Sequence, residues 1–161
     1  MVATKQLVVN PDKCTGCRAC ELACSFQHYQ EFNPHKSAIH VSIFTLDAFF
    51  LPVYCAQCSD PACVAVCPSG AMHVDQIDGS YVVLVDHERC IGCDMCTVAC
   101  PFGAVEDDSA GSVHKCDLCG GDPACVKVCA THALEFTEVS DMPRGRRKAL
   151  AERMLVERGG L

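Results

Sequence analysis

The residues best placed to do chemistry in this 161-residue chain are its 16 cysteines. They fall into four groups of four with none left over. The first is Cys14, Cys17, Cys20 and Cys24, and the second is Cys55, Cys58, Cys63 and Cys67. The third is Cys90, Cys93, Cys96 and Cys100, and the fourth is Cys116, Cys119, Cys125 and Cys129. Thiolates are metal ligands, and groups one and three share the spacing C-x2-C-x2-C-x3-C. Group three ends Cys100-Pro101, which completes the bacterial [4Fe–4S] run. Three cysteines at that spacing lie on a loop around one face of a cubic cluster. The fourth sits a helical turn later and points away, so two groups must exchange their last cysteines. Groups two and four have a longer gap before the third cysteine and share Asp-Pro-Ala-Cys-Val. The alternation of the two group types reads as a duplicated two-motif unit. Gly16 and Gly92, each before a second cysteine, let backbone N–H groups approach sulfur.

Other uses of cysteine fit less well. Zinc prefers two C-x2-C pairs held further apart than groups two and four allow. A disulfide scaffold leaves the repeated spacing unexplained. A [3Fe–4S] cluster needs a missing ligand, and no group lacks one. With complete thiolate sets, His114 and His132 read as surface or supporting groups rather than ligands. No phosphate loop, Ser/His/Asp set or nucleotide fingerprint occurs, so no catalytic residue is expected.

The elements that must hold these cysteines are short. Leu7–Val9, Ile39–Phe44, Tyr81–Val85 and Leu134–Val139 read as strands. Arg18–Phe26, Pro61–Val66, Asp94–Ala99 and Pro123–Val128 read as one or two helical turns within the cysteine groups. Pro68 and Pro101 should stop two of them, and Gly70 and Gly103 should turn the chain into the next strand. Residues 25–54 form an insertion, read as a surface hairpin whose Phe49-Phe50-Leu51 patch covers a cluster, with a partner-docking patch as the alternative. Glu106, Asp107 and Asp108 read as a solvated turn. Residues 143–158 read as a basic helix, with Leu150, Met154 and Leu155 along one side.

Composition agrees with a metal-filled interior. Aromatic residues make up 6% of the chain and there is no Trp, so an ordinary side-chain core would be thin. The net charge is −7, with +3 on residues 141–161 and therefore −10 on residues 1–140. An acidic body argues against nucleic acid as a partner. No window is long and apolar enough for a membrane span, and the start carries no export signal. Both point to a cytoplasmic protein, unless a partner's signal exports it.

Together the residues resemble a known family: the four-cluster, ferredoxin-like iron–sulfur subunits of multi-subunit oxidoreductases. Its members serve molybdenum and tungsten pterin enzymes, carbon monoxide dehydrogenase and some hydrogenases. The resemblance covers about residues 5–140 and rests on the cysteine groups, Asp-Pro-Ala-Cys, Cys-Pro-x-Gly-Ala and PVYCAQC. The segment CELACSFQHYQEFNP is similar to shorter members, such as the small subunit of tungsten aldehyde oxidoreductase and the carbon monoxide dehydrogenase partner ferredoxin.

The resemblance implies an α+β, duplicated ferredoxin-like fold around four [4Fe–4S] clusters. An inner module, about 50–105, would nest in an outer one formed by 1–49 and 106–140, followed by the 141–161 tail. It also implies the ligand sets. Cys14, Cys17 and Cys20 would share a cluster with Cys129, and Cys116, Cys119 and Cys125 one with Cys24. Cys55, Cys58 and Cys63 would share one with Cys100, and Cys90, Cys93 and Cys96 one with Cys67. Three departures touch the outer module: Ser25 and Ala130 stand where the full motif has Pro, and His132 stands where the other turns have Gly.

The leading functional expectation is a non-catalytic subunit that relays single electrons. Its partner would be a catalytic subunit of tungsten or molybdenum pterin type, such as an aldehyde oxidoreductase. A flavin- or NAD-linked subunit, and further copies of the chain bound through the tail, are additional partner classes. The acidic body should hold the potentials low. A freely diffusing polyferredoxin, or a redox-sensing or structural iron–sulfur protein, are the alternatives.

Overall fold

The computed structural model describes residues 5–77, 79–107 and 111–138. The basic 141–161 tail lies outside the described residues, as do Asp108 and the last residue of the strand expected over Leu134–Val139.

Among the described residues, eight strands pair into four separate two-stranded antiparallel sheets. β1 (Lys5–Val9) pairs with β8 (Leu134–Glu138), and β2 (Ile39–Phe44) with β3 (Phe49–Tyr54). β4 (Met72–Ile77) pairs with β5 (Ser80–Val85), and β6 (Val105–Asp107) with β7 (Val113–Lys115). Each cysteine group lies between two strands and carries one α-helix. These are α1 (Ala19–Tyr29), α2 (Ala62–Ala65), α3 (Met95–Ala99) and α4 (Ala124–Lys127). The strand entering each group pairs with the strand leaving the group before it, and β1 closes the cycle on β8. Equivalent hydrogen bonds brace two of the sheets: Asn10 N donates to Ala133 O at 2.8 Å, and Asp86 N to Ala71 O at 2.9 Å.

The four expected strands and four expected helical turns are present within a few residues of their bounds, apart from the position outside the described residues. β3, β4, β6 and β7 are additional to them. Glu106 and Asp107 lie in β6 rather than in a solvated turn. Strand alternation turns Glu106 toward β2, where its Oε1 is 3.0 Å from His40 Nε2.

α1 is longer than one or two turns. Where Pro68 and Pro101 end α2 and α3, Ser25 has an N–H and lets α1 run on to Tyr29. The Ser25 hydroxyl donates to Leu22 O and accepts from Asn33 N, so it also secures the chain that leaves the helix. His132 adopts the left-handed backbone of Gly70 and Gly103, with φ 51° against 63° and 59°. The turn is therefore kept, with the steric cost of a side chain there.

Packing is divided between two small cores. One gathers Leu7, Ile39, Val82, Leu118 and Leu134 around Cys20, Cys24 and Cys125. The other gathers Met72, Val105 and Val113 around Cys96, with Cys63, Cys67, Cys90 and Cys100 packed on it. α1 packs on α4, and α2 packs on α3.

Candidate metal centres

Local backbone geometry shapes all four cysteine loops alike. The residue before the second cysteine is left-handed in every group: Gly16 (φ 70°), Gln57 (48°), Gly92 (63°) and Leu118 (58°). In groups one and three the residue after it, Arg18 or Asp94, is left-handed too. These residues curl each loop tightly around its own thiols. Only glycine avoids a steric cost in that region, so Gln57 and Leu118 hold it against strain.

The packing of α1 on α4 and of α2 on α3 brings thiols from distant groups together. Cys14, Cys17, Cys20 and Cys129 line one small cavity, walled by Val41, Pro52 and Leu134. Cys55, Cys58, Cys63 and Cys100 line another, walled by Val83, Val105 and Phe102. Cys24 lies within electrostatic reach of Cys119 and Cys125, and Cys125 within reach of Cys116. Cys67 and Cys90 lie within reach of Cys96. Cys17 and Cys93, the second cysteines of groups one and three, are the exposed ones.

The fourth cysteine of every group accepts a backbone N–H. Ala38 N donates to Cys24 Sγ at 3.4 Å, Met72 N to Cys67 at 3.4 Å, Ala104 N to Cys100 at 3.4 Å and Ala133 N to Cys129 at 3.2 Å. Against desolvation, these bonds and the hydroxyls of Ser69 and Thr131 pull the Cys67 and Cys129 thiols down. Deeper thiols move the other way. Burial, then the Glu21 charge, pushes Cys20 up to about 12. Burial, then the charges of Cys119, Cys24 and Cys20, pushes Cys125 up to about 12.

Several supporting residues were not legible in the sequence. Glu21 is 1% exposed, pairs with Arg18 at 2.7 Å and accepts Val41 N at 2.7 Å. His28, one helical turn beyond Cys24, places Nε2 3.6 Å from Cys119 Sγ and 3.5 Å from Asp117 Oδ1. The i, i+4 spacing from Cys24 on a helix was the available signal. His114 is buried rather than at the surface, its Nε2 3.4 Å from Ser37 O and its ring edge-on to Tyr29. Phe50, from the insertion, lies over Gly16 in the first cysteine loop, as a covering aromatic would.

A family profile described as "4Fe-4S dicluster domain" matches residues 46–139, more than half of the chain, and a second with the same description matches residues 13–72. The chain belongs to the 4Fe-4S dicluster family. It is ferredoxin-like and carries multiple [4Fe–4S] clusters, which the two cysteine-lined cavities, their lack of His or carboxylate lining and the N–H bonds to sulfur all suit.

Among 4Fe-4S dicluster relatives, the polyferredoxin-like subunit of aliphatic sulfonate oxidoreductase from Pyrococcus furiosus is 45% identical over 126 residues, 76% of this chain and 70% of that protein. The B subunit of the anaerobic dimethyl sulfoxide reductase of Escherichia coli is 37% identical over 158 residues, 83% of this chain and 73% of that protein. Among solved structures, a subunit of the benzoyl coenzyme A reductase active-site complex BamBC superposes with a TM-score of 0.51 at 29% identity, over 93% of this chain and 90% of that one. Among the described residues, no helix is long and apolar enough to cross a membrane.

Proposed function

We propose that this chain is a non-catalytic electron-transfer subunit that relays single electrons through four [4Fe–4S] centres to and from a catalytic oxidoreductase subunit. The observation that carries the reading is the convergence of thiols from groups one with four, and two with three, into four-cysteine sets. The first centre would use Cys14, Cys17, Cys20 and Cys129, and the second Cys116, Cys119, Cys125 and Cys24. The third would use Cys55, Cys58, Cys63 and Cys100, and the fourth Cys90, Cys93, Cys96 and Cys67. This is a duplicated layout, an inner module about 50–105 within an outer one.

The thiols also suggest an order. Cys125 neighbours Cys20, which links the first set to the second. Cys116 neighbours Cys55, which links the second to the third. Cys63, Cys67, Cys90 and Cys96 share one core, which links the third to the fourth. The exposed cysteines, Cys17 and Cys93, belong to the two outer sets, where electrons would enter and leave.

When bound, the clusters supply the one-electron chemistry. The chain's residues do the rest. Backbone N–H groups of Ala38, Met72, Ala104 and Ala133 donate to sulfur and set the electron affinity of each site. Met72, Val82, Val105 and Leu134 exclude water between the sites. The named relatives are subunits of oxidoreductases, which supports a catalytic oxidoreductase partner over a freely diffusing carrier; we take that partner to be of molybdenum or tungsten pterin type.

The test is anaerobic analysis of the chain with whatever co-purifies. About sixteen irons per chain, four reducible spectroscopic signals and a tightly held oxidoreductase are expected. Fewer than about twelve irons, or zinc in their place, would overturn the reading. C17A and C93A should each remove one outer signal and break the relay while the other signals persist.

A further inference from the structure

Where the second and third centres meet, the chain buries a polar bracket that the relay does not otherwise need. Lys115 is 8% exposed, and its Nζ donates to Val83 O and, at 2.7 Å, to Cys116 O. Gln57 is 3% exposed and joins the same two residues: its Nε2 donates to Cys116 O at 2.8 Å, and its Oε1 accepts Val83 N at 2.8 Å. Gln57 lies between Cys55 and Cys58, and Lys115 precedes Cys116, so the bracket ties the two cysteine groups together. An uncharged amide already makes the cross-link. A buried ammonium is costly unless something nearby offsets it. Among the described residues, no carboxylate pairs with Lys115.

Both of its partners belong to the middle of the chain of sites. Cys116, whose carbonyl takes one bond, is a ligand of the second set, and Val83, whose carbonyl takes the other, walls the cavity lined by Cys55, Cys58, Cys63 and Cys100 of the third. Neither Lys115 nor Val83 lines the cavity of the first set.

We infer that Lys115 is a fixed positive charge that holds the reduction potentials of the two middle centres above those they would otherwise have, and so stabilises an electron midway along the relay. The inference rests on the four-centre reading above. Each transfer moves one electron from a site to its neighbour, oxidising the first and reducing the second, with no proton taken up and no bond made or broken. The receiving site becomes one charge more negative, and an adjacent ammonium favours that state. The electron comes from, and finally goes to, the catalytic subunit and its redox partner.

The experiment is a potentiometric titration of the anaerobic holoprotein, followed by electron paramagnetic resonance, on wild type, K115Q, K115R and Q57E. C17A and C93A identify the signals of the outer centres. K115Q should lower the one-electron reduction equilibrium of the two middle centres at least tenfold, about 59 mV for a one-electron couple, with a smaller shift at the outer two. K115R should keep the wild-type values. Q57E leaves the lysine in place but sets a carboxylate against it, and should lower the same two potentials. It keeps the inference testable if K115Q loads poorly.

Equal shifts at all four centres, or fully loaded K115Q or Q57E with unmoved potentials, would overturn the inference. Wild-type protein lacking four reducible centres would instead overturn the reading beneath it.

Discussion

Gly92 and Gly103 offer a controlled test of what holds the third cysteine loop. Both are left-handed, at φ 63° and 59°, so alanine at either carries the same backbone cost, about 1–2 kcal/mol. They differ in their neighbours. A Cβ on Gly103 would meet nothing within 4 Å, whereas one on Gly92 would lie 2.4 Å from the carbonyl oxygen of Gly111. That is about 1 Å inside an ordinary carbon–oxygen contact of about 3.4 Å. The obstacle is backbone, so no rotamer change relieves it, and overpacking of this kind adds about 1–3 kcal/mol. G103A should therefore cost about 1–2 kcal/mol, a factor of roughly 5 to 30, and G92A about 2–5 kcal/mol in all. The assay is the rate at which anaerobic holoprotein loses its iron–sulfur absorbance on warming, with iron content measured at the start. G92A should bleach markedly faster than G103A, and G103A faster than wild type. Equal rates for the two variants would refute the argument, because the Gly111 contact would then carry no energy.

Other perturbations follow from the same geometry. S25P would install the residue that follows Cys67 and Cys100, yet here it should break α1 and cost about 3 kcal/mol; circular dichroism and iron content would report it. E21A should leave the Val41 N–H without its partner and cost about 1–3 kcal/mol in stability to denaturant, whereas E21Q should cost less. In the metal-free chain, Cys67 and Cys129, held low, should alkylate at lower pH than Cys20 and Cys125, held near 12, as mass spectrometry after graded labelling would reveal. The latter two bind protons more tightly folded than unfolded. Their contribution to the metal-free fold is therefore full below about pH 9 and lost as pH rises toward 12. F50A should uncover the first cysteine loop and speed oxidative loss of iron, measured as bleaching in air.

Much of this was legible because cysteine spacing is a one-dimensional record of a three-dimensional requirement. Groups one and three can be read directly, since three thiols around one face of a cube permit few spacings. The strands richest in β-branched residues, β2 and β5, are equally plain. β3 is hidden by Pro52 and β4 by Asp75 and Gln76, residues that demote a strand until its partner is known. α1 reads short because the cysteine motif implies a stop after its last member, whereas the Ser25 N–H permits the helix to continue. Glu21, Gln57 and Lys115 look like ordinary polar residues. Nothing local marks them, because their burial depends on elements that arrive from far along the chain: Val41 for Glu21, and Val83 for both members of the bracket.

The pairing of β1 with β8 has a consequence for biogenesis. Leu7 sits opposite Phe136, and Cys20 lines its cavity with Cys129, so the first thiols made must wait for almost the last ones described. At ribosomal speeds of about 5–20 residues per second, the roughly one hundred intervening residues impose a delay of about 5–20 s. The second and third groups suffer no such wait, because their partners emerge almost at once. A nascent chain would thus finish its second and third groups first and hold the reactive sulfur of the first open to oxygen or stray metal. Any maturation machinery that serves it must shelter that group until the fourth has emerged.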